Sequence, residues 1–400
     1  MKYNFDTVID RRHTPSVKWG CGAQTKEWSY TERFDDNTIS LFAADMDFRC
    51  PQPILDSLSN VVQHGIFGYS GTAGLPEYNQ AICRWFQRRH GWEIEPESII
   101  SCNTATEALD IAIRAYSKEG DGILITRPVY GPFTDAILKN NRKVVNSQLV
   151  DHDGYYTMDF DDIEEKAKDK RVTMFALCSP HNPAGRVWSQ DELSRLADIC
   201  QRNNVILVSD EVHCEFVRAG VSFLTAAKVG KSENTVIITG INKTFNCAGL
   251  GAAHVMIADE SLRQKFIKVQ GMSLSNPFAI AAVIAGYTQG DEWIEQVNTY
   301  IEDTIDWVIG YAKENLPGVR IRKPEGTYIL WADFRGTGLS DIEIHNRIYN
   351  RANVCLDSGT GYDPSKGGGF ERICIPAPRA IIKEAFERIS AALMDCRRTD

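Results

Sequence analysis

"TVIITGINKTFNCAGLG", Thr235 to Gly251, sets an apolar run against a single amine. Val236–Ile238 reads as a buried strand, and Lys243 follows it among small and polar residues. A lysine at the end of such a strand is costly unless it is paired or used. The pattern recurs upstream and just downstream. "SIIS" (Ser98–Ser101), "GILIT" (Gly122–Thr126), "TMFALC" (Thr173–Cys178), "VILVSD" (Val205–Asp210) and "AHVMIA" (Ala253–Ala258) are further short apolar runs. Runs without polar alternation suit strands buried on both faces, as in a parallel sheet. Helix-like stretches lie between them: "EALDIAIRAYSK", "YGPFTDAILKN" and "SQDELSRLADICQRN". The last opens with a capping-box pattern, Ser189 followed by Glu192. Strand–helix alternation predicts a layered α/β sheet.

The chain has 400 residues, 43% hydrophobic and 24% charged, with a formal net charge of −9. That is the composition of a soluble globular protein long enough for two domains. No basic block suggests nucleic-acid binding. "MKYNFDTVIDRRH" lacks an apolar signal core, and "FAIAAVIAGY" (Phe278–Tyr287) is too short to span a membrane and reads as a buried helix. A cytoplasmic location is expected. The 11 cysteines show no CxxC, and the spacing of Cys21 and Cys50 is not that of a zinc site. No metal site is expected.

After about residue 285 the pattern changes to a long charged helix (Glu292–Glu314), a strand-like "TYILWADF" (Thr327–Phe334), a helix-like "SDIEIHNRIYNRA" and a final helix near Ala380–Met394. The predicted organisation is an arm over 1–45, a large α/β domain over 46–285 and a smaller α+β domain over 286–400. The arm is expected to pack on the small domain.

Ligands of open α/β sheets bind beyond the carboxyl ends of the strands. There the sequence places "CNTATEAL", "RPVYGPF", "SPHNPAGR", "SDEVH" and "GINKTF". These loops hold what a pyridoxal 5′-phosphate (PLP) cofactor requires. An amine can form a Schiff base with its aldehyde: Lys243. Backbone N–H groups at a helix start can take its phosphate: Ala105 and Thr106. An aromatic face can stack on its ring: Tyr130. An anion can keep its ring nitrogen protonated: Asp210. An amide can meet its phenolate oxygen: Asn182. Each residue also has a plainer reading: Lys243 as a surface lysine, Asp210 as a helix cap, Tyr130 as core. It is the set, at consecutive strand ends, that points to the cofactor.

"SPHNPAGRVW", "SDEVH" and "NKTFNCAGL", in this order, resemble fold-type I PLP enzymes of the class I/II aminotransferase superfamily. "VIDRRHTPSVKW", "AADMDF" (Ala43–Phe48), "HGIFGYSG" (His64–Gly71), "PEGTYILWADF" and "FERICIPAPRAIIKEAFERI" are similar to its MalY/PatB cystathionine β-lyase (C–S lyase) branch. The resemblance covers nearly the whole chain. It implies a three-layer α/β large domain with a smaller α+β C-terminal domain. It implies that Lys243 carries the cofactor, with Asp210 on the ring nitrogen, Asn182 and His213 near O3′, and Tyr130 stacked. His213 could equally be a packed polar residue. Arg372 matches the grip on the substrate α-carboxylate, with Arg379 of "APRA" the competing arginine, and Ala44 lies in the substrate-side "AADMDF". Tyr69 matches a tyrosine that reaches the neighbouring subunit's cofactor phosphate, which implies a homodimer with shared sites.

Four positions depart from the pattern. Gly251 stands where many aminotransferases place a phosphate-binding arginine. Its absence is usual in the lyase branch. Asn242 replaces a serine, Phe42 a tryptophan, and "NTATEAL" a Pro-Gly loop. The resemblance therefore implies β-elimination from cystathionine or another cysteine S-conjugate, with amino transfer as the alternative. A regulator built on the same fold would carry an appended DNA-binding segment, which these residues lack. "GTGYDPSKGGG" (Gly359–Gly369) reads as a mobile loop beside the site.

Overall fold

The computed structural model describes residues 2–20, 31, 33–72 and 75–394. Cys21 and the arm residues 21–30 and 32 lie outside them. Seven strands form the main sheet: β1 (Ile99–Cys102), β2 (Gly122–Ile125), β3 (Lys143–Asn146), β4 (Val172–Cys178), β5 (Ile206–Asp210), β6 (Thr235–Gly240) and β7 (Ala253–Met256). Their spatial order is β1-β7-β6-β5-β4-β2-β3.

The five strands β3, β2, β4, β5 and β6 run parallel. β7 runs antiparallel to both β1 and β6, which corrects the expectation of a parallel sheet. A parallel return needs a long crossover, usually through a full helix. Between β6 and β7 the chain forms only the helical turn Ile241–Thr244 and a 3₁₀ turn.

Helices cover both faces. Along β6, Val236 and Ile238 enter one apolar cluster and Ile237 the other. This is why the strand sequences lack polar alternation. One cluster packs under α3 (Ala105–Tyr116) and α4 (Gly131–Lys139). The other packs under α1 (Gln52–His64), α2 (Pro76–His90), α5 (Gln190–Arg202) and α6 (Pro277–Gln289). Three layers result. α5 begins with the capping box of Ser189 and Glu192. α6 contains "FAIAAVIAGY", with Ala279, Ala282, Val283 and Ala285 buried, and Asn276 caps it. The expected boundary at 285/286 falls within this helix. Gly290 alone separates it from α7 (Asp291–Asn315).

A second sheet is antiparallel: β8 (Arg320–Ile321), β9 (Ile329–Asp333), β10 (Asp357–Ser358) and β11 (Phe370–Cys374), in the order β8-β9-β11-β10. α7 and the final helix α8 (Arg379–Met394) pack beside it, Trp307 edge-on to Phe386. Ile39–Ser40 of the arm pairs in parallel with Val354–Cys355. Phe5 enters the aromatic group of Phe48, Trp293 and Tyr300.

Residues 359–369 are anchored, against the expectation of a mobile loop. Asp363 is 1% exposed and accepts from the Gln148 amide at 2.8 Å. Tyr362 O accepts from the Val129 N–H at 3.1 Å.

Candidate active site

Lys243 sits in the turn that follows β6. Its Nζ donates to Ala44 O at 2.5 Å, and the Tyr328 hydroxyl donates to the same oxygen at 3.0 Å. Burial, the largest influence, pulls the amine below its ordinary range; Asp45, Cys374 and Asp210 oppose this and Arg372 adds to it. An amine so placed is poised to react as a neutral base or nucleophile.

Asp210 ends β5 in the sheet row next to β6. Burial pushes its carboxyl up to about 6, partly offset by the Val212 N–H, which donates to Oδ1 at 3.2 Å, and by Lys243. The cap-like bond to Val212 and the charge toward Lys243 coexist. Asn182 follows β4 and is buried, with Oδ1 unpartnered. Its backbone oxygen accepts from the Tyr130 N–H at 3.1 Å, which joins the two loops. Tyr130 stands at the start of α4, half-buried. Burial raises its phenol; Arg372 lowers it and Asp210 raises it.

His213 is buried, its Nδ1 has no partner, and its ring meets Tyr328 edge-on at 5.2 Å. Burial, Lys243 and Arg372 together hold it far below the ordinary histidine range, so it is neutral.

Arg372 projects from β11, paired in register with Trp331 and Asp357. Its Nη2 binds the Asp357 carboxylate, its guanidinium lies 5.3 Å from the centre of the Tyr362 ring, and its Nε is buried without a partner. Arg379 is held elsewhere, donating to Asp303 at 3.1 Å over the Tyr300 ring.

At the start of α3, Thr104 accepts from the Glu107 N–H at 3.0 Å. The N–H groups of Ala105 and Thr106 lie in the first helical turn, where no intrahelical acceptor exists. Gly251 approaches this end: a Cβ there would lie 3.6 Å from Asn103. Its φ of +67° disfavours any side chain. Asn242 bridges the same place, donating to Asn103 O at 3.4 Å and accepting from the Ala252 N–H at 3.1 Å. Tyr69 is 98% exposed, away from these groups within its own chain.

Three contributors escaped the sequence reading. Asp357 binds Arg372; its only signal is an acid ending the apolar run "VCL". Tyr328 shares the Ala44 oxygen. Asn246, three residues beyond Lys243, clamps the backbone of Met46 and Phe48 with its amide, all three bonds at 2.9 Å.

The Lys243 amine thus lies within the electrostatic influence of the Asp210 carboxylate and the Arg372 guanidinium. The family model described as aminotransferase class I and II matches residues 37–389. The chain belongs to that family. It is 36% identical to cystathionine beta-lyase PatB of Bacillus subtilis, over 98% of this chain and 100% of that protein. Two solved structures are similar. Cystalysin from Treponema denticola, whose crystals contain a PLP cofactor, has a TM-score of 0.93 and 32% identity over 99% of this chain and 100% of its own. The PLP-bound C–S lyase from Staphylococcus hominis has a TM-score of 0.91 and 30% identity over 98% and 99%. The donor set here fits such a cofactor. It offers a reactive amine, a carboxylate, a helix N-terminus and a ring. Asn182 Oδ1, His213 Nδ1 and Arg372 Nε are buried polar atoms left for a ligand.

Proposed function

We propose that the chain is a PLP-dependent carbon–sulfur β-lyase. It cleaves cystathionine or another cysteine S-conjugate to a thiol, pyruvate and ammonia. The observation that carries this reading is the half-buried Lys243 amine, depressed by burial, within the influence of both Asp210 and Arg372. Lys243 would hold the cofactor, Asp210 its ring nitrogen, Asn182 and His213 its O3′ side, and Ala105 and Thr106 its phosphate, with Tyr130 on its face. Bound PLP supplies an electron sink for the pair left at Cα. Lys243 would take the Cα proton, which is what leaves that pair, and its lowered basicity keeps a neutral fraction available for that task. Arg372 holds the substrate carboxylate, oriented by Asp357 and Tyr362, with Ala44 on the substrate side.

Gly251 favours elimination over amino transfer. The phosphate-binding arginine of many aminotransferases is replaced by a glycine in the left-handed conformation, φ +67°, which disfavours a side chain there. Elimination needs a base, a sink and an exit for the thiol, but no second binding mode for a keto acid.

The same reading divides the chain near residue 285 into a large cofactor-binding domain and a smaller one. It places the protein in the cytoplasm as a homodimer. Among the described residues no helix is long and apolar enough to cross a membrane. Val62, Ile66, Phe67, Tyr69, Met272 and Leu274 are exposed. Phe67 stacks on Phe278, and Ser70 donates to Ser275 O, so the two segments form one face. An exposed apolar face of this kind suits a second copy.

The test is product analysis with L-cystathionine and S-alkyl cysteines. Pyruvate, ammonia and thiol should appear in equal amounts without added keto acid. Turnover that requires a keto-acid acceptor and leaves the Cβ–S bond intact would replace this reading with amino transfer.

A further inference from the structure

Cys50 and Cys247 have no part in the chemistry above, yet they meet beside it. Cys247 lies four residues beyond Lys243, and Cys50 ends the segment that begins at Asp45. Their Sγ atoms are 3.7 Å apart. Cys50 is half-buried and so open to a small oxidant, whereas Cys247 is buried. The two backbones are already held together, because Asn246 clamps Met46 and Phe48. The sulfurs therefore cannot drift far apart. The hydrogen bond shared by the two thiols draws Cys50 below its ordinary range, and the same bond with burial pushes Cys247 up. The more acidic thiol of the pair is thus also the more accessible one, which is the order that oxidation requires.

We propose that Cys50 and Cys247 form a hydroperoxide-sensitive dithiol that closes to a disulfide. The Cys50 thiolate attacks the peroxide oxygen, the O–O bond breaks, and Cys50 becomes a sulfenic acid; the departing hydroxide (an alkoxide, for an organic hydroperoxide) takes up the proton that the thiol released and leaves as water (or an alcohol). The Cys247 sulfur then attacks the Cys50 sulfur and expels a second water, its thiol proton leaving with the hydroxide. Two thiols are oxidised by two electrons, and one peroxide is reduced. The sulfurs close from 3.7 Å to a bond of about 2.05 Å, which asks less than 1 Å or so of each side chain. The bond would tie the segment bearing Ala44 to the turn bearing Lys243.

The test treats the purified holoenzyme with hydrogen peroxide, blocks remaining thiols with N-ethylmaleimide and maps tryptic peptides by mass spectrometry. A Cys50–Cys247 link should form, with the loss of two thiols per chain, and dithiothreitol should restore both. Cys83 shares the Cys50 tryptic peptide, so Cys83→Ser serves as a control and should keep the link. Cys50→Ser and Cys247→Ser should each lose it. Thiol titration of the unaltered protein reads the same event without any variant. A link through Cys83, oxidation of Cys50 to sulfinic acid without a link, or no thiol loss would each overturn the proposal.

Discussion

Lys243 is the residue on which the proposed chemistry turns, and its replacement gives the sharpest test. Lys243→Ala should abolish the borohydride-reducible link to the cofactor and lower turnover by ~10²–10⁴-fold, the usual contribution of a general base. An adduct that persists in the variant would remove Lys243 from the mechanism. Asp210 carries a pH signature. Its carboxyl, raised to about 6 by burial, must ionise to pair with a ring cation. Cofactor affinity should therefore weaken as pH falls below about 6, and Asp210→Asn should bind weakly at every pH without that slope. Fluorescence titration of the cofactor-free protein from pH 5 to 8 reads both. At this scale the position of a residue type at a strand end was readable in the sequence: Lys243, Asp210 and Asn182 do stand at or just beyond the ends of β6, β5 and β4. It was silent on Asp357, which pairs with Arg372 across a short sheet that joins residues distant in sequence. It was also silent on Tyr328 and Asn246, whose partners are backbone carbonyls of another segment.

Among the elements, the long apolar strands and the amphipathic helices were legible because periodicity encodes burial. The edge strand Lys143–Asn146 was not. It is half-buried and carries no continuous apolar run. The direction of β7 was also hidden, since side-chain pattern does not distinguish parallel from antiparallel neighbours buried on both faces. "SDIEIHNRIYNRA" resolves into the helix Asp341–His345 and a π-helical stretch, Asn346–Arg351, a change of winding that composition does not signal. β11 supports a pH prediction of its own. Burial pushes the Glu371 carboxyl up to about 8, although the Tyr349 hydroxyl donates to it at 2.8 Å. The folded chain holds this proton where the unfolded chain, near 4.5, has released it. Stability is therefore lost as pH rises from about 4.5 to 8, by up to ~1.4 kcal/mol per pH unit from this one group. Asp210 and Glu211 act in the same direction. Glu371→Gln should flatten the fall in thermal midpoint between pH 5 and pH 8. An unchanged slope would mean that Glu371 is ionised in the fold.

At the scale of the whole molecule the exposed Tyr69 is the informative residue. If it completes a site on a second copy, mixing Tyr69→Phe subunits with Lys243→Ala subunits yields dimers with one doubly altered site and one intact site. Activity should rise above that of either parent. Verified mixed dimers without recovery would place Tyr69 outside the site. The exposed face that motivates this test was partly visible in the sequence as "HGIFGYSG", but its other half, around Met272 and Leu274, becomes its neighbour only through the fold.

The arm bears on the order in which the chain is built. Asp6 accepts from the Tyr300 hydroxyl across 294 residues, and Phe5 packs on Trp293 and Tyr300. A ribosome adds ~5–20 residues per second, so Phe5 and Asp6 wait roughly 15–60 s for these partners to emerge. The strands from Ile99 to Met256 emerge within that interval and can pair first. Until then the apolar ring of Phe5 is in the keeping of whatever meets the nascent chain.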